Sequence, residues 1–332
     1  VTASEIEQLF TRIQSLNVLV IGDVMIDSYL WGKVDRISPE APVPVVHIAT
    51  KENRLGGAAN VALNVKALGA RAIICSVVGD GTKGDIFRKT SKENGFSTEG
   101  IIDSTERMTT VKTRVIAQGQ HVVRIDEEIT WPLSATDERN LIDCVNRILS
   151  RQKIDVIIFE DYNKGVLTPK VIQTLLTLAR EKGIITAVDP KRDNFFAYKG
   201  CTLFKPNLKE LREGLQRNIP SGDLDQLREA MVELNRRLEN DITMITLSEA
   251  GVASLQGEYF SHIPAHSREI VDVSGAGDTV ISVAALAVAA GWGAVQASAI
   301  ANLAGGLVCE YVGVVPVNHQ RLREEAVKAL AG

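Results

Sequence analysis

What this sequence is short of narrows the reading first. Its four cysteines, Cys75, Cys144, Cys201 and Cys309, stand far apart, with no CxxC pair and no cysteine–histidine cluster. That pattern excludes a disulfide framework and a zinc site, and suits reduced, buried thiols in a cytoplasmic protein. A net charge of −4, and no block of five like charges, argue against a nucleic-acid partner. The first ten residues have no basic segment followed by an apolar one, so no secretory signal is expected there. The almost wholly apolar run Val280–Ala290 is about half of the ~20 residues a membrane span needs, so it is read as a core helix and no membrane partner is expected. GxxxxGK[ST] is missing, which excludes a P-loop enzyme. The five histidines, His47, His121, His262, His266 and His319, have neither metal-ligand spacing nor a Ser/His/Asp arrangement.

What is present is enough apolar material, 45% of 332 residues, for one large α/β domain with a smaller appendage. Short runs rich in Val and Ile, namely Val18–Ile21, Ala72–Val78, Val156–Phe159, Ile184–Val188 and Thr243–Leu247, read as strands buried on both faces. Helical patterns lie between them, at about Gly57–Leu68, Thr82–Asn94, Ser134–Ser150, Pro169–Lys182 and Asp223–Glu239. Ser134, with Asp137 three residues on, and Thr168, before Pro169, are helix-start signals. This alternation predicts a parallel sheet with helices on both faces, a three-layer α/β/α arrangement. Three stretches, Ser28–Lys33, Val43–Arg54 and Thr109–Ile125, instead alternate polar and apolar residues with no helix between them. They predict a small antiparallel lid sheet with one wet face.

The strongest chemical signal is Asp272-Val-Ser-Gly-Ala-Gly-Asp278-Thr279, directly before the apolar helix. Gly275, Ala276 and Gly277 permit a tight turn whose amides point into one concavity at a helix N-terminus, an anion site. Asp278 there could accept the proton of a hydroxyl attacking a phosphoryl group. The plainer reading is an acidic first turn that stabilises the helix.

This segment resembles the second signature of the ribokinase (PfkB) sugar kinases, and Gly56-Gly57-Ala58-Ala59-Asn60-Val61-Ala62 resembles the first. Both stand in the family's order, and the similarity runs over essentially the whole chain. Val283 departs from the pattern, since many members carry Gly or Ala there. Gly22-Asp-Val-Met-Ile-Asp27, the run Arg36–Val45, Asp161-Tyr-Asn-Lys-Gly165 and Val188-Asp-Pro-Lys191 are similar to those members that phosphorylate the anomeric hydroxyl of D-glycero-β-D-manno-heptose 7-phosphate. In many bacteria such a kinase is the N-terminal half of a bifunctional protein that also carries an adenylyltransferase. The chain has no HxGH-type motif, so a stand-alone or excised kinase is expected.

The resemblance implies a ribokinase-like fold for a single domain over 1–332, with lid strands at about 28–54 and 107–126. It implies ATP and Mg²⁺, together with a monovalent cation such as K⁺, a sugar phosphate as the second substrate, and a homodimer made through the lid. Carried over residue by residue, Asp278 is the base and the Gly275–Gly277 amides stabilise developing charge. Asp27, Gly57, Asn60, Arg114, Asp161 and Lys164 fall to the sugar. Lys191, Asn207, Glu210, Ser248, Glu249, Gly251 and Asn302 fall to the nucleotide, with Asn207 and Glu210 reaching Mg²⁺ through water. Arg36, Arg107, Lys112, Arg114 and Arg124 are the candidates for the substrate's own phosphate. Two rival readings stay open: an NAD-dependent oxidoreductase built on Gly79-Asp-Gly81-Thr-Lys-Gly84, and a sugar-phosphate sensor without catalysis. A kinase for another sugar of the same family is the nearest alternative.

Overall fold

The computed structural model describes residues 1–331. Helix α1 (Ala3–Ile13) leads into β1 (Asn17–Gly22), and β2 (Val24–Ile37) and β3 (Pro44–Gly57) form a long hairpin that runs directly into α2 (Ala58–Ala67). Next come β4 (Arg71–Gly79), α3 (Thr82–Glu93), β5 (Ile101–Ser104), and a second hairpin of β6 (Thr110–Ala117) and β7 (Gln120–Glu127). After α4 (Ala135–Arg151) the chain alternates through β8 (Val156–Glu160), α5 (Pro169–Glu181), β9 (Ile185–Asp189) and β10 (Leu203–Phe204). It continues with α6 (Leu208–Leu215), α7 (Leu224–Leu238), β11 (Ile242–Thr246), β12 (Val252–Gln256) and β13 (Tyr259–Ile263). Helices α8 (Ala276–Ala289), α9 (Ala294–Val308) and α10 (His319–Leu330) close the fold.

Nine strands form one sheet in the order β13-β12-β11-β10-β9-β8-β1-β4-β5, parallel except for β12 and β13. Alternate residues of one strand feed separate cores. Val18 and Val20 face a layer that includes α1, α2, α8, α9 and α10, while Leu19 and Ile21 face α4, α5 and α7. That is why β1 reads as a continuous apolar run, as strands covered on both faces must. Residues Asp278–Val288 of α8 are all buried, as the sequence predicts for a core helix. Among the described residues no helix is long and apolar enough to cross a membrane.

The four-stranded second sheet has the order β3-β2-β6-β7. Thr109–Ile125, read from the sequence as one stretch, is a hairpin. Gln118 and Gly119 both take positive φ at its tip (51° and 79°), as a tight two-residue turn requires. The β2–β6 pairing is parallel, so the lid is not wholly antiparallel as its alternation suggests.

Chain order sets where a ligand can sit. From β1 the chain moves through β4 to β5 on one side, then returns to β8 and proceeds to β11 on the other. The reversal falls between β1 and β8, and the crevice beyond the C-terminal ends of strands at such a reversal is where open α/β sheets bind ligands.

Candidate active site

The ends of β8, β9 and β10 and the starts of α2 and α8 meet at that crevice. Helix α8 is preceded by its N-cap Gly275, whose φ of 80° is left-handed, and a Cβ there would stand 3.1 Å from the Asn60 amide nitrogen. Glycine satisfies both restrictions. The Ala276 N–H donates back to the Val273 carbonyl at 3.3 Å. Of the three residues expected to supply anion-binding amides, Ala276 is therefore engaged within its own turn. Gly277 and Asp278, in the first turn, have no intrahelical carbonyl to donate to, which leaves their amides available to an anion.

Asp278 is 6% exposed, and both of its oxygens are held. The Asn60 side-chain amide donates to Oδ2 at 2.7 Å and the Tyr162 hydroxyl donates to Oδ1 at 2.7 Å. Burial pushes the carboxyl up to about 6, helped by the Asp189 carboxylate, while Asn60, Tyr162 and Lys205 pull the other way. It is therefore mostly ionised at neutral pH yet close enough to titration to take up a proton, as a general base should.

Behind it Asp189, Glu160 and Lys205, to which the sequence reading gave no role, gather beside Lys191 and Glu210, which it gave to the nucleotide. Lys205, 2% exposed, sets its ammonium 2.8 Å from Asp189 Oδ2. A side chain at Gly277 would begin 3.8 Å from that same carboxylate oxygen and 4.0 Å from Lys205 Nζ, so glycine keeps the space above the ammonium open. Lys191 donates to Glu210 at 2.5 Å and lies 3.8 Å from Asp189. Glu160, at the end of β8, is buried with no hydrogen-bond partner for either oxygen. Burial, and the nearby Asp189 and Asp278, push its pKa well above the usual carboxylate range. Glu160, Asp189 and Lys205 each end or follow a buried apolar strand, the one local signal that could have marked them.

Asp27 is ion-paired with Arg114 across the β2–β6 ladder. A Cβ at Gly56 would stand 2.2 Å from Asp27 Oδ2, and one at Gly57, whose φ is 60°, would stand 2.4 Å from the Asp23 carbonyl oxygen. The glycine pair thus lets the lid strand pass close to the crevice. Asn60 keeps its Oδ1 buried and unpaired, an acceptor facing no donor.

Asp161 does not join this group. Its carboxylate accepts from the Asn163 N–H (2.8 Å), Asn194 Nδ2 (3.1 Å) and the Tyr198 hydroxyl (2.9 Å), and Tyr198 lies in the core beneath. Asp161 anchors its loop, and the role of sugar ligand expected of it is withdrawn. The unassigned Asp23 does similar work, accepting N–H bonds from Tyr162, Lys164 and Val166. Lys164 pairs with Glu128 at 2.7 Å.

The basic candidates separate cleanly. Arg107 is committed to the Trp131 and Lys164 carbonyls and Arg124 to Asp126, while Arg36 stands exposed. Among the described residues Lys112 has no carboxylate within ion-pair distance, and both burial and the Lys164 ammonium lower its pKa. An anion would relieve that repulsion.

On the far side, Asn207 and Glu210 form a reciprocal cap at the start of α6. The Glu210 N–H donates to Asn207 Oδ1 and the Asn207 N–H to Glu210 Oε2, both at 2.8 Å. These oxygens keep lone pairs for a water shell but are not arrayed for direct coordination, which suits hydrated Mg²⁺. Among the described residues no group of three His, Cys, Asp or Glu side chains could hold a metal directly. A cavity of about 470 Å³ is lined by Asn207, Arg212, Thr246, Ser248, Glu249 and His262. Gly251 (φ 91°) packs against the Ile263–Ala265 backbone, and Asn302 donates to the Pro264 carbonyl at 2.9 Å, so both adjoin one segment. The GxGxxG segment is a packing turn. A Cβ at Gly84 would stand 1.9 Å from the Gly79 carbonyl oxygen, and the Gly79 N–H donates to Thr109 Oγ1.

The sequence profile of the pfkB family of carbohydrate kinases matches residues 15–321. The chain is similar to the bifunctional protein HldE of Citrifermentans bemidjiense, at 42% identity over 322 residues, which cover 97% of this chain and 65% of the relative. The bifunctional protein HldE of Helicobacter pylori is 40% identical over 296 residues, covering 89% and 63%. The chain thus spans about two thirds or less of the length of these relatives. Among solved structures, phosphofructokinase-2 from Escherichia coli in complex with potassium superposes with a TM-score of 0.78 at 18% identity, covering 96% of this chain and 99% of that one. Arabidopsis thaliana ribokinase complexed with ribose and ATP superposes with a TM-score of 0.69 at 16% identity, covering 93% and 98%.

Proposed function

The chain belongs to the pfkB family of carbohydrate kinases, and we propose that it transfers the γ-phosphoryl group of ATP to the anomeric hydroxyl of D-glycero-β-D-manno-heptose 7-phosphate, giving the 1,7-bisphosphate on the route to ADP-heptose. One observation carries the transfer: a carboxylate with a pKa of about 6 is held by two donors at a helix N-terminus, beside a buried lysine. A sensor without catalysis has no need of a base tuned in this way. The motifs shared with heptose 7-phosphate kinases, and the HldE relatives, support the choice of sugar.

Asp278 takes the proton of the C1 hydroxyl, and the C1 oxygen attacks the γ-phosphorus as the bond to the ADP oxygen breaks. The Gly277 and Asp278 amides and the Lys205 ammonium face the charge that builds on the transferring group. Gly275 gives the turn its shape. Asn60, through its unpaired Oδ1, takes a sugar hydroxyl, the donor that this acceptor lacks, and Asp27, beside Gly56 and paired with Arg114, takes another. Lys112 and Arg114 of lid strand β6, with Lys164 of the loop after β8, form a cationic surface where the substrate's own phosphate would bind. Lys191, Asn207, Glu210 and the loop Ser248–Gly251 take the nucleotide, with Asn302 at its far end. Mg²⁺, reached through water from Asn207 and Glu210, supplies charge neutralisation on the phosphates when bound. A monovalent cation such as K⁺, named for the Escherichia coli structure, belongs to the same reading. With ATP as donor, the cytoplasm is the compartment we assign.

The lid leaves Ile37, Val43, Ile48, Val123 and Ile125 between 45% and 61% exposed, an apolar surface that a second copy of the lid would cover. A homodimer through the lid is part of the proposal.

The deciding experiment is a panel of sugar phosphates with ATP, with the position of the new phosphate read by NMR. Heptose 7-phosphate should be turned over fastest and gain a phosphate on C1. Faster turnover of a ribose, fructose phosphate or nucleoside would keep the family and overturn the sugar.

A further inference from the structure

Tyr162 lies one residue beyond Asp161, in the loop between β8 and α5, at the reversal point of the sheet. Three contacts define its position. Its backbone N–H donates to Asp23 Oδ2 at 2.8 Å, which anchors the loop. Its hydroxyl donates to Asp278 Oδ1 at 2.7 Å. Its ring has the Lys112 ammonium 5.7 Å from the centroid and the Lys191 ammonium 5.5 Å from it. Lys112 belongs to lid strand β6, and Lys191 follows β9 and is paired with Glu210 of α6. One ring is thus shared by a cation from the lid and one from the nucleotide side, an arrangement that electron-rich aromatic faces favour.

We infer that Tyr162 is a positioning residue for the transfer: its hydroxyl orients Asp278 and holds it ionised, and its ring ties that orientation to Lys112 of the lid and Lys191 of the nucleotide side. With Asn60 on Oδ2 and Tyr162 on Oδ1, the carboxylate cannot rotate without breaking a bond, and each oxygen keeps a lone pair for an incoming hydroxyl. The tyrosine donates and stays protonated, because burial and the nearby Asp278 and Glu160 push its pKa well above the usual phenol range. The proton taken from the sugar therefore goes to Asp278 and not to Tyr162.

Other groups facing Asp278 act in both directions. Asn60 from α2 is neutral and donates, Lys205 beyond β10 favours the anion, and Asp189 of β9 opposes it. Glu160 of β8 lies close by, its own pKa raised by burial and by Asp189 and Asp278. Removing the Tyr162 donor should tilt this balance toward the protonated acid, since a hydrogen bond to the ionised form lowers a carboxyl's pKa.

The test is a titration of Asp278 by ¹³C-carboxyl NMR, its signal assigned by loss in Asp278→Asn. Tyr162→Phe should raise the midpoint by about one pH unit. Replacing Tyr162 with 3-fluorotyrosine, a stronger donor of the same shape, should lower it and so does not depend on the Phe variant folding well. A midpoint that moves in neither protein would reduce Tyr162 to a space-filler. In turnover, Tyr162→Phe should move the acid limb of kcat by the same amount and leave KM for the sugar unchanged. In an Asp278→Asn background it should add nothing. The inference rests on the kinase reading for the meaning of the base, but the titration uses no substrate. Failure of every sugar in the panel would therefore sink that reading and leave this result standing, and an unmoved midpoint would do the reverse.

Discussion

Asn60 and Asp278, 218 residues apart in the chain, meet at 2.7 Å, and a side chain on Gly275 would stand 3.1 Å from the same amide nitrogen. The two sequence signatures are therefore the two halves of one contact. Helix α2 supplies the donor and helix α8 the acceptor, and neither helix start could move without breaking it.

Replacing Asp278 with Asn should leave a folded protein with little activity. The amide keeps the shape and cannot take the proton, so kcat should fall by roughly 10²–10⁴-fold. A variant within about threefold of the parent in kcat would place the base elsewhere.

Activity should depend on pH through the same carboxyl. The pKa of Asp278 is raised from 3.8 to about 6 in the folded protein, so the active, ionised form is lost as pH falls through 6. The profile of kcat/KM should show an acid limb near that value. A rate that stays flat from pH 7 down to pH 5 would contradict it.

Lys205 is nearly fully buried against Asp189, so its removal should cost stability as well as catalysis. Lys205→Met strands a buried carboxylate, and breaking such a pair typically costs about 3 kcal/mol or more. Adding Asp189→Leu should restore much of the thermal midpoint without restoring turnover. If single and double variants melt alike, the pair is not the structural unit its geometry suggests.

A charge on the lid's apolar surface should separate the copies. Val123 and Ile125 are 48% and 50% exposed, and Ile125→Glu, with or without Val123→Glu, would place carboxylates in the covered surface. Light scattering should show a dimer for the parent at micromolar concentration and a monomer for the variant. A parent that is monomeric there removes the lid dimer.

These 332 residues should make the bisphosphate and stop. Given heptose 7-phosphate, ATP and a separate phosphatase, the purified chain should yield heptose 1-phosphate and ADP. Appearance of ADP-heptose and pyrophosphate without an added adenylyltransferase would reveal a second active site.

Much of this was readable along the chain, because the information was local. A strand covered on both faces must be apolar throughout, so Val18–Ile21 and Val156–Phe159 announced a buried parallel sheet. A turn with left-handed φ before a buried helix calls for glycine, so Gly275 and Asp278 were visible before any coordinates. The lid's extent was legible too, but not the reversal at Gln118–Gly119 or the parallel β2–β6 pairing, since alternation sets which face is wet and not which neighbour is paired. What only the tertiary structure decided is the division of labour among residues of one type. Asp161 and Asp278 look alike in sequence, yet Asp161 is taken up by Asn194 and Tyr198, while Asp278 faces Asn60, Tyr162 and the Lys205 charge. Glu160 and Lys205 carry no motif, and Asp189, inside the run Val188–Lys191, was given no role by it. They become one cluster because parallel strands end side by side, bringing together residues that chain distance keeps apart.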